Sequence, residues 1–296
     1  MWAILSILSG LGDSFAFIAM KKLKNLNPYI VLGLRHISAL PFLMFGFLFY
    51  EVPKVAVDFY FVVLINSIIM IIAMLFLIKS LHMSDLSLSI PMLSFTPAFL
   101  LVTSYFMLKE YPNFLGFAGI ILTVVGSYVI NISHIKNGYL GPFKKIFKNR
   151  GVLYMIITSF LFSITSNLVK IGINLSNPAY FMFVNYLLIS ILIMPVFLKK
   201  AGFKELKFNS KWILILGIST AVMELLIAVA VKFAIIPYIV SLKRTSVIFS
   251  VIMGAYFFKE KNFKPAIMSS MFSYAHFFVS SSDKFSLNKN FSSSGI

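Results

Sequence analysis

The stretch FYFVVLINSIIMIIAMLFLI, Phe59–Ile78, carries no charged residue, and its polar groups are confined to Tyr60, Asn66 and Ser67. A helix needs about 20 mostly apolar residues to cross the hydrocarbon core of a bilayer, and this run meets that length unaided. Runs bounded by charge or turn residues extend on both sides of it. They are Trp2–Met20, Tyr29–Tyr50, Leu86–Leu108, Phe114–Ile132, Val152–Ile171, Ala179–Leu198, Trp212–Val231, Tyr238–Phe258 and Pro265–Ser280, which makes ten segments. The whole chain of 296 residues is 59% hydrophobic and 12% charged, with a mean hydropathy of +0.94. A soluble domain carries about 45–50% apolar and about 25% charged residues, and a chain of this size has no core large enough to hide the excess. A soluble enzyme, a disordered tail protein and a single-span receptor with a large ectodomain are excluded. The expected fold is all-α, a multi-pass protein of the cell membrane with ten transmembrane helices and the lipid bilayer as its solvent.

The net charge of +17 would suit nucleic acid, but its placement argues against that partner. Lys21, Lys22 and Lys24, and again Lys199, Lys200, Lys204, Lys207 and Lys211, flank apolar runs, as positive charge does beside membrane spans. Loops after odd-numbered segments hold seventeen of the 26 Lys and Arg, those on the even side and the tail six. The positive-inside rule then puts the odd loops, including Lys136–Arg150, in the cytoplasm and both termini outside. The first segment does not read as a cleavable signal peptide, because Asp13 lies in its middle and Lys21-Lys22 ends it. The chain has no cysteine, which excludes disulfides, thiolate metal sites and cysteine nucleophiles.

An internal repeat is visible. Asn27-Pro28 recurs as Asn177-Pro178, Lys109-Glu110 as Lys259-Glu260, and Phe99 as Phe249, all at a spacing of 150 residues. Each half holds five segments, and an odd number forces two serial copies to cross the membrane in opposite directions. That is an inverted-topology repeat, an arrangement of many secondary transporters, with the site near the midplane between the halves. The domains are accordingly 1–133 and 151–280 as the two repeats, 134–150 as a basic connecting loop, and 281–296 as a polar, disordered tail.

The run PMLSFTPAFLL from Pro91, the Lys109-Glu110 that follows, Arg35 in the second segment, and SLKRTSVIFSVIMG from Ser241 with Lys259-Glu260 resemble the EamA family. EamA proteins are part of the drug/metabolite transporter superfamily, and the resemblance covers about residues 1–264. It implies a ten-helix carrier that moves small metabolites outward, often amino acids or related solutes, by alternating access. It further implies a cavity lined by the first, third and fourth helices of each half. On orientation it opposes the charge tally, since relatives are described with cytoplasmic termini.

Charged groups are expensive at membrane depth, so they face the bundle interior or water. Asp13 and Glu224 lie roughly 16–18 Å into their segments at 1.5 Å per residue, near the midplane. Arg35, Lys243 and Arg244 lie about 8–9 Å in, from opposite faces. Two carboxylates with no equally deep basic partner would favour the neutral form, so protons could load and leave near neutral pH. One of them, with Glu224 the stronger candidate, would carry a coupling proton or bind a substrate amine; both read equally well as structural groups. Asn167, Ser94, Thr96 and one of Lys243 or Arg244 would complete the site, the cation meeting a solute carboxylate. Adjacent residues point about 100° apart on a helix, so Lys243 and Arg244 are not both expected at one cavity. Arg35 either snorkels to the nearer surface or joins the site. Asn185 occupies its place in the second half and serves either a substrate or an interhelical hydrogen bond.

Weaker signals follow helical spacing. Ser159, Ser163, Ser166 and Asn167 form a polar stripe, Gly217, Thr220 and Glu224 share a face, and Gly116, Gly119, Thr123 and Gly126 form a packing seam. Pro91 and Pro97 make the fourth segment breakable, freeing carbonyls for a cavity. The last segment departs from the family in its scattered serines and His276, so it reads as a marginal helix or as the product of a frameshift after Lys261. No catalytic residue, metal site or cofactor is indicated: His36, His82, His134 and His276 are scattered, and no phosphate loop occurs. The expected function is a secondary transporter, an exporter or exchanger of a small metabolite, with proton coupling and homodimer formation both left open. The alternative is a membrane-embedded enzyme or sensor with an intramembrane polar site.

Overall fold

A computed structural model describes residues 1–114, 116–121 and 149–258, and among these all regular structure is helical. Eight helices are long and apolar enough to cross a membrane. They are α1 (Trp2–Lys22), α2 (Pro28–Leu48), α3 (Val57–Met83), α4 (Ile90–Leu108), α5 (Arg150–Asn174), α6 (Pro178–Lys200), α7 (Ser210–Ala230) and α8 (Ile236–Phe258). They correspond to the first four segments and the sixth to ninth. The chain is a multi-pass membrane protein. Most of the fifth segment and of the 134–150 loop, and all of the tenth segment, the 281–296 tail and the stretch after Lys261, lie outside the described residues.

The helix ends follow from local chemistry. The Asn27 and Asn177 side-chain carbonyls accept from Tyr29 N at 3.0 Å and Tyr180 N at 2.9 Å. Each thereby satisfies an orphan donor of a first turn, and Pro28 and Pro178 supply the preset φ at the first helical position. Asn149 caps α5 the same way, accepting from Gly151 N at 3.0 Å. Two helices are interrupted. α4 opens as a tight 3-10 stretch over Ile90–Phe95 and becomes α-helical from Thr96, while α8 is broken at Arg244-Thr245 between Ile236–Lys243 and Ser246–Phe258. α4 ends on Lys109, at φ 57° the one non-glycine residue with positive φ among the described residues. That conformation, which usually selects glycine, turns Glu110 back toward the bundle.

The packing of the helices is reciprocal. α1 packs mainly on α7, and α3 mainly on α5; α1 also meets α8, and α4 meets α5; α2 lies against α6. Close approach is required at Gly217, where a Cβ would fall 2.5 Å from the Ser38 carbonyl oxygen of α2. α4 and α5 run parallel, as the contacts Ser159 to Met92, Ser104 to Asn167 and Lys170 to Glu110 show. The chain therefore leaves α4 at the face that holds Trp2 and enters α5 at the face that holds Lys22. One apolar cluster, with Phe17, Met20, Leu77, Leu81 and Leu93, fills the bundle toward the Lys22 face. A second, with Leu43, Phe59, Phe181 and Ile239, lies toward the Trp2 face.

Candidate functional site

The break in α8 rests on α1. A Cβ at Gly10 would lie 2.7 Å from the Lys243 carbonyl oxygen and 2.7 Å from Thr245 Oγ1, so only glycine admits this approach. Ser14 Oγ lies 2.9 Å from the Ser246 carbonyl oxygen and 2.9 Å from that of Gly10, tying the first turn after the break to α1. This contact presents Lys243 and Arg244 to the centre of the bundle beside Asp13.

There a cavity opens that is lined by Asp13, Arg35, Glu224, Lys243 and Arg244 together. It offers about 90 Å³ to the centres of water-sized molecules, where one water needs roughly 10–15 Å³. Its walls are otherwise largely apolar, with Met70, Met74, Phe162 and Ile227 among them. It reaches Val231 and Ile236, at the helix ends on the Trp2 face, and stops at Phe17 and Leu77 on the side of the apolar cluster.

Two ion pairs join four of these charges across the cavity. Lys243 Nζ lies 3.9 Å from Asp13 Oδ2, and Arg35 Nη2 lies 3.9 Å from Glu224 Oε1. Both are ion-pair distances, too long for a hydrogen bond. The closer partner of Glu224 is the Tyr186 hydroxyl, which donates to Oε1 at 2.9 Å. His36 packs on Tyr186 with ring centroids 4.7 Å apart, its Nδ1 bonded to the Leu32 carbonyl at 2.9 Å. Asp13, Arg35 and Arg244 are each about 95% buried. Arg35 Nε and Nη1 have no hydrogen-bond partner among the described residues.

Several expectations are corrected here. Asp13 and Glu224 do not lack basic partners, because the long Lys and Arg stems carry their charges along apolar surface to the acids. The argument for protons that rested on unpaired acids therefore loses its premise. Arg35 does not snorkel outward; it is 4% exposed and lines the cavity. Lys243 and Arg244 both line it, at the end of the first part of α8.

The remaining candidates lie elsewhere. Asn185 accepts from Asn66 Nδ2 and Ser67 Oγ, each at 3.0 Å, and joins α6 to α3. Asn167 accepts from Ser104 at 2.7 Å, between α5 and α4. Ser94 and Thr96 are buried in α4, outside the cavity lining. Of the serine stripe only Ser166 reaches the cavity; Ser159 Oγ takes the Met92 carbonyl at 2.8 Å, the kind of freed group that a cavity was expected to use. Gly116 of the expected seam would place a Cβ 2.4 Å from the Tyr238 ring, whereas Thr123 and Gly126 lie outside the described residues. Tyr186 and His36 were not singled out in the sequence, although each adjoins a residue that was.

Beyond the cavity, each face carries a lysine clamp. At the Trp2 face Lys170 pairs with Glu110 and donates to the Ala234 carbonyl at 3.1 Å, while Glu110 Oε2 accepts from Ile236 N at 3.0 Å. At the Lys22 face Lys21 donates to the Ser84 carbonyl at 3.0 Å, with Asp85 at 3.8 Å. The two carbonyls belong to residues 150 positions apart.

Comparisons with known proteins agree with this picture. No curated protein matches the sequence. A solved structure described only as "Crystal structure of protein" superposes with a TM-score of 0.64 over 91% of this chain and 94% of its own, at 12% identity. At that identity the likeness is one of fold alone. Residues 1–132 match the model of the EamA-like transporter family, and that stretch contains Arg35, Pro91 and Lys109-Glu110.

Proposed function

We propose that the chain is a secondary transporter of the cell membrane that moves a small metabolite by alternating access through this cavity. One observation carries the reading: each ion pair takes one partner from residues 1–133 and the other from 151–280. A site between two halves is where relative motion exchanges partners and exposes a solute first to one side and then to the other. The reciprocal packing of α1 on α7 and α3 on α5 is the pairing that a pseudo-two-fold axis would generate. The parallel run of α4 and α5 has the parity that one further crossing between them would supply. Both support two inverted five-helix repeats, over 1–133 and 151–280, and a total of ten helices. The lysine-rich loops put the Lys22 face in the cytoplasm, which turns the cavity mouth outward. Asp13, Glu224, Arg35, Lys243 and Arg244 are the binding and coupling residues, while Asn167 ties α5 to α4 and Asn185 ties α6 to α3.

The test is flux in proteoliposomes. Glu224→Gln keeps size and the Tyr186 contact but removes the charge facing Arg35, and Asp13→Asn does the same opposite Lys243. Loss of transport with folding retained is expected for both, and the pH profile of the wild type reports whether either acid carries a coupling proton. Unchanged rates and pH profiles in both variants would make these acids structural and the assignment wrong.

A further inference from the structure

We infer that the face of the bundle that holds Lys22 binds the headgroups of anionic phospholipids, and that Lys22 and Lys200 fix them in place. The inference rests on membrane residence and holds whether or not the chain is a carrier. The run KKAGFKELKFNSK, Lys199–Lys211, joins α6 to α7 with five lysines and one glutamate. The run KKLKNLN, Lys21–Asn27, leads from α1 to α2 with three lysines and no acid. Both connections lie on this face. Lys22 Nζ stands over the Trp212 ring at the start of α7, 5.7 Å from its centroid, and Lys200 Nζ over the Tyr29 ring at the start of α2, at 4.7 Å. Clusters of about 4–8 basic residues beside membrane-spanning helices attract anionic headgroups.

The choice of Lys22 and Lys200 rests on how they are held. Lys22 Nζ also stands over the Phe258 ring at 4.7 Å and lies 3.4 Å from the Phe257 carbonyl oxygen. A ring face within about 6 Å attracts an ammonium, so both stems are ordered in advance at the depth where aromatic rings meet headgroups. An ammonium carries three donors, and the side turned away from the ring is open to a phosphate oxygen. Lys24, Lys199, Lys207 and Lys211 are exposed around them. Phe208, between Lys207 and Lys211, is 90% exposed, more than any other large apolar side chain among the described residues. A phenylalanine set among lysines suits the boundary of headgroups and acyl chains, which favours lipid over a soluble polyanion. The opposite face has the ring contacts without the excess charge. Lys109 stands over Tyr105 at 5.6 Å and Lys232 over Tyr50 at 5.4 Å, but Glu51, Asp58 and Glu110 lie at the helix ends there.

Trp2 and Trp212 are the only two tryptophans of the chain and stand on opposite faces, which makes the test direct. The full chain is reconstituted in phosphatidylcholine bilayers that contain a minor fraction of brominated phosphatidylglycerol, or the same fraction of brominated phosphatidylcholine. Bromine quenches only the rings beside it. Trp2→Phe leaves Trp212 as the reporter, and Trp212→Phe leaves Trp2. Phosphatidylglycerol should quench Trp212 beyond phosphatidylcholine, and the two lipids should quench Trp2 alike. Both leaflets hold the brominated lipid, so the outcome does not depend on orientation. Lys22→Gln with Lys200→Gln should lower the preference at Trp212 by at least about fivefold, the worth of one lysine near an anionic surface. Lys109→Gln with Lys232→Gln should leave it unchanged. Equal quenching of Trp212 by the two lipids, an equal excess at Trp2, or an undiminished preference in the Lys22 and Lys200 variant overturns the inference. If that variant does not fold, the comparison of the two reporters decides alone. A ligand of the native state raises the thermal midpoint. Stabilisation of the detergent-solubilised chain by oligoadenylate and not by short-chain phosphatidylglycerol would therefore make a soluble polyanion the occupant, and also overturns it.

Discussion

The clamp at the Trp2 face makes a measurable commitment. Glu110→Ala removes an ion pair to Lys170 and the acceptor of Ile236 N, both at the seam where α4, α5 and α8 meet. The side chains of Lys170 and Glu110 are 15% and 16% exposed, between two known regimes. Exposed pairs contribute about 0–1 kcal/mol, and breaking a buried pair costs about 3–5 kcal/mol because a charge is left uncompensated. A loss of about 2–3 kcal/mol is expected, which for a chain of this class lowers the thermal midpoint by roughly 4–10 °C. Lys170→Met should cost a similar amount, since it strands the Glu110 carboxylate. The double variant leaves no charge stranded and should fall short of the sum by about 1–2 kcal/mol, the signature of direct coupling. The assay is a detergent thermal melt of all four proteins at one scan rate, because unfolding of such chains is commonly irreversible. Midpoint losses that simply add in the double variant would show that the residues act independently, and the clamp would be no clamp.

Further predictions concern packing and orientation. Gly217→Ala drives a Cβ to 2.5 Å from the Ser38 carbonyl oxygen, and, since backbone cannot swing aside, a loss of about 1–3 kcal/mol is expected by thermal melt. Asn185→Ala leaves Asn66 Nδ2 and Ser67 Oγ without their shared acceptor. It should lower stability by about 1–3 kcal/mol without changing which solutes compete for transport; a changed solute preference would return Asn185 to the site. In this cysteine-free chain, Lys54→Cys should react with an impermeant thiol reagent in intact cells and Lys204→Cys should not. Labelling at position 204 alone reverses the orientation.

Membrane residence was legible because it depends on composition and run length, which need no third dimension. The likeness of residues 1–132 to the EamA-like transporter family was legible in Arg35 and in the motifs from Pro91 and at Lys109-Glu110. The five cavity charges were also visible as residues, but their pairing was not. Depth along a helix axis placed Arg35 and Glu224 in different layers, because the rise per residue fixes Cα positions and says nothing of where a long side chain ends. Lys243 and Arg244 reach the cavity beside the break in α8, where α1 approaches at Gly10, a contact across more than 230 positions of sequence. Asn167 and Asn185 carry the polarity of binding residues, and only their neighbours Ser104 and Asn66 reveal that they are satisfied within the bundle.

The two lysine clamps have a consequence for how far sequence can change without changing the backbone. In both, the acceptor of the lysine is a main-chain carbonyl, that of Ser84 or of Ala234. The carbonyl persists whatever side chain occupies the position, so serine and alanine serve equally and the contact imposes no letter on either site. The lysines are equally tolerant: Lys21 lies one place beyond the counterpart of Lys170, and a flexible four-carbon stem absorbs the offset. Two segments built on such contacts can differ in their letters while keeping the same backbone arrangement, because the contact asks only for a main-chain oxygen and a long cationic stem.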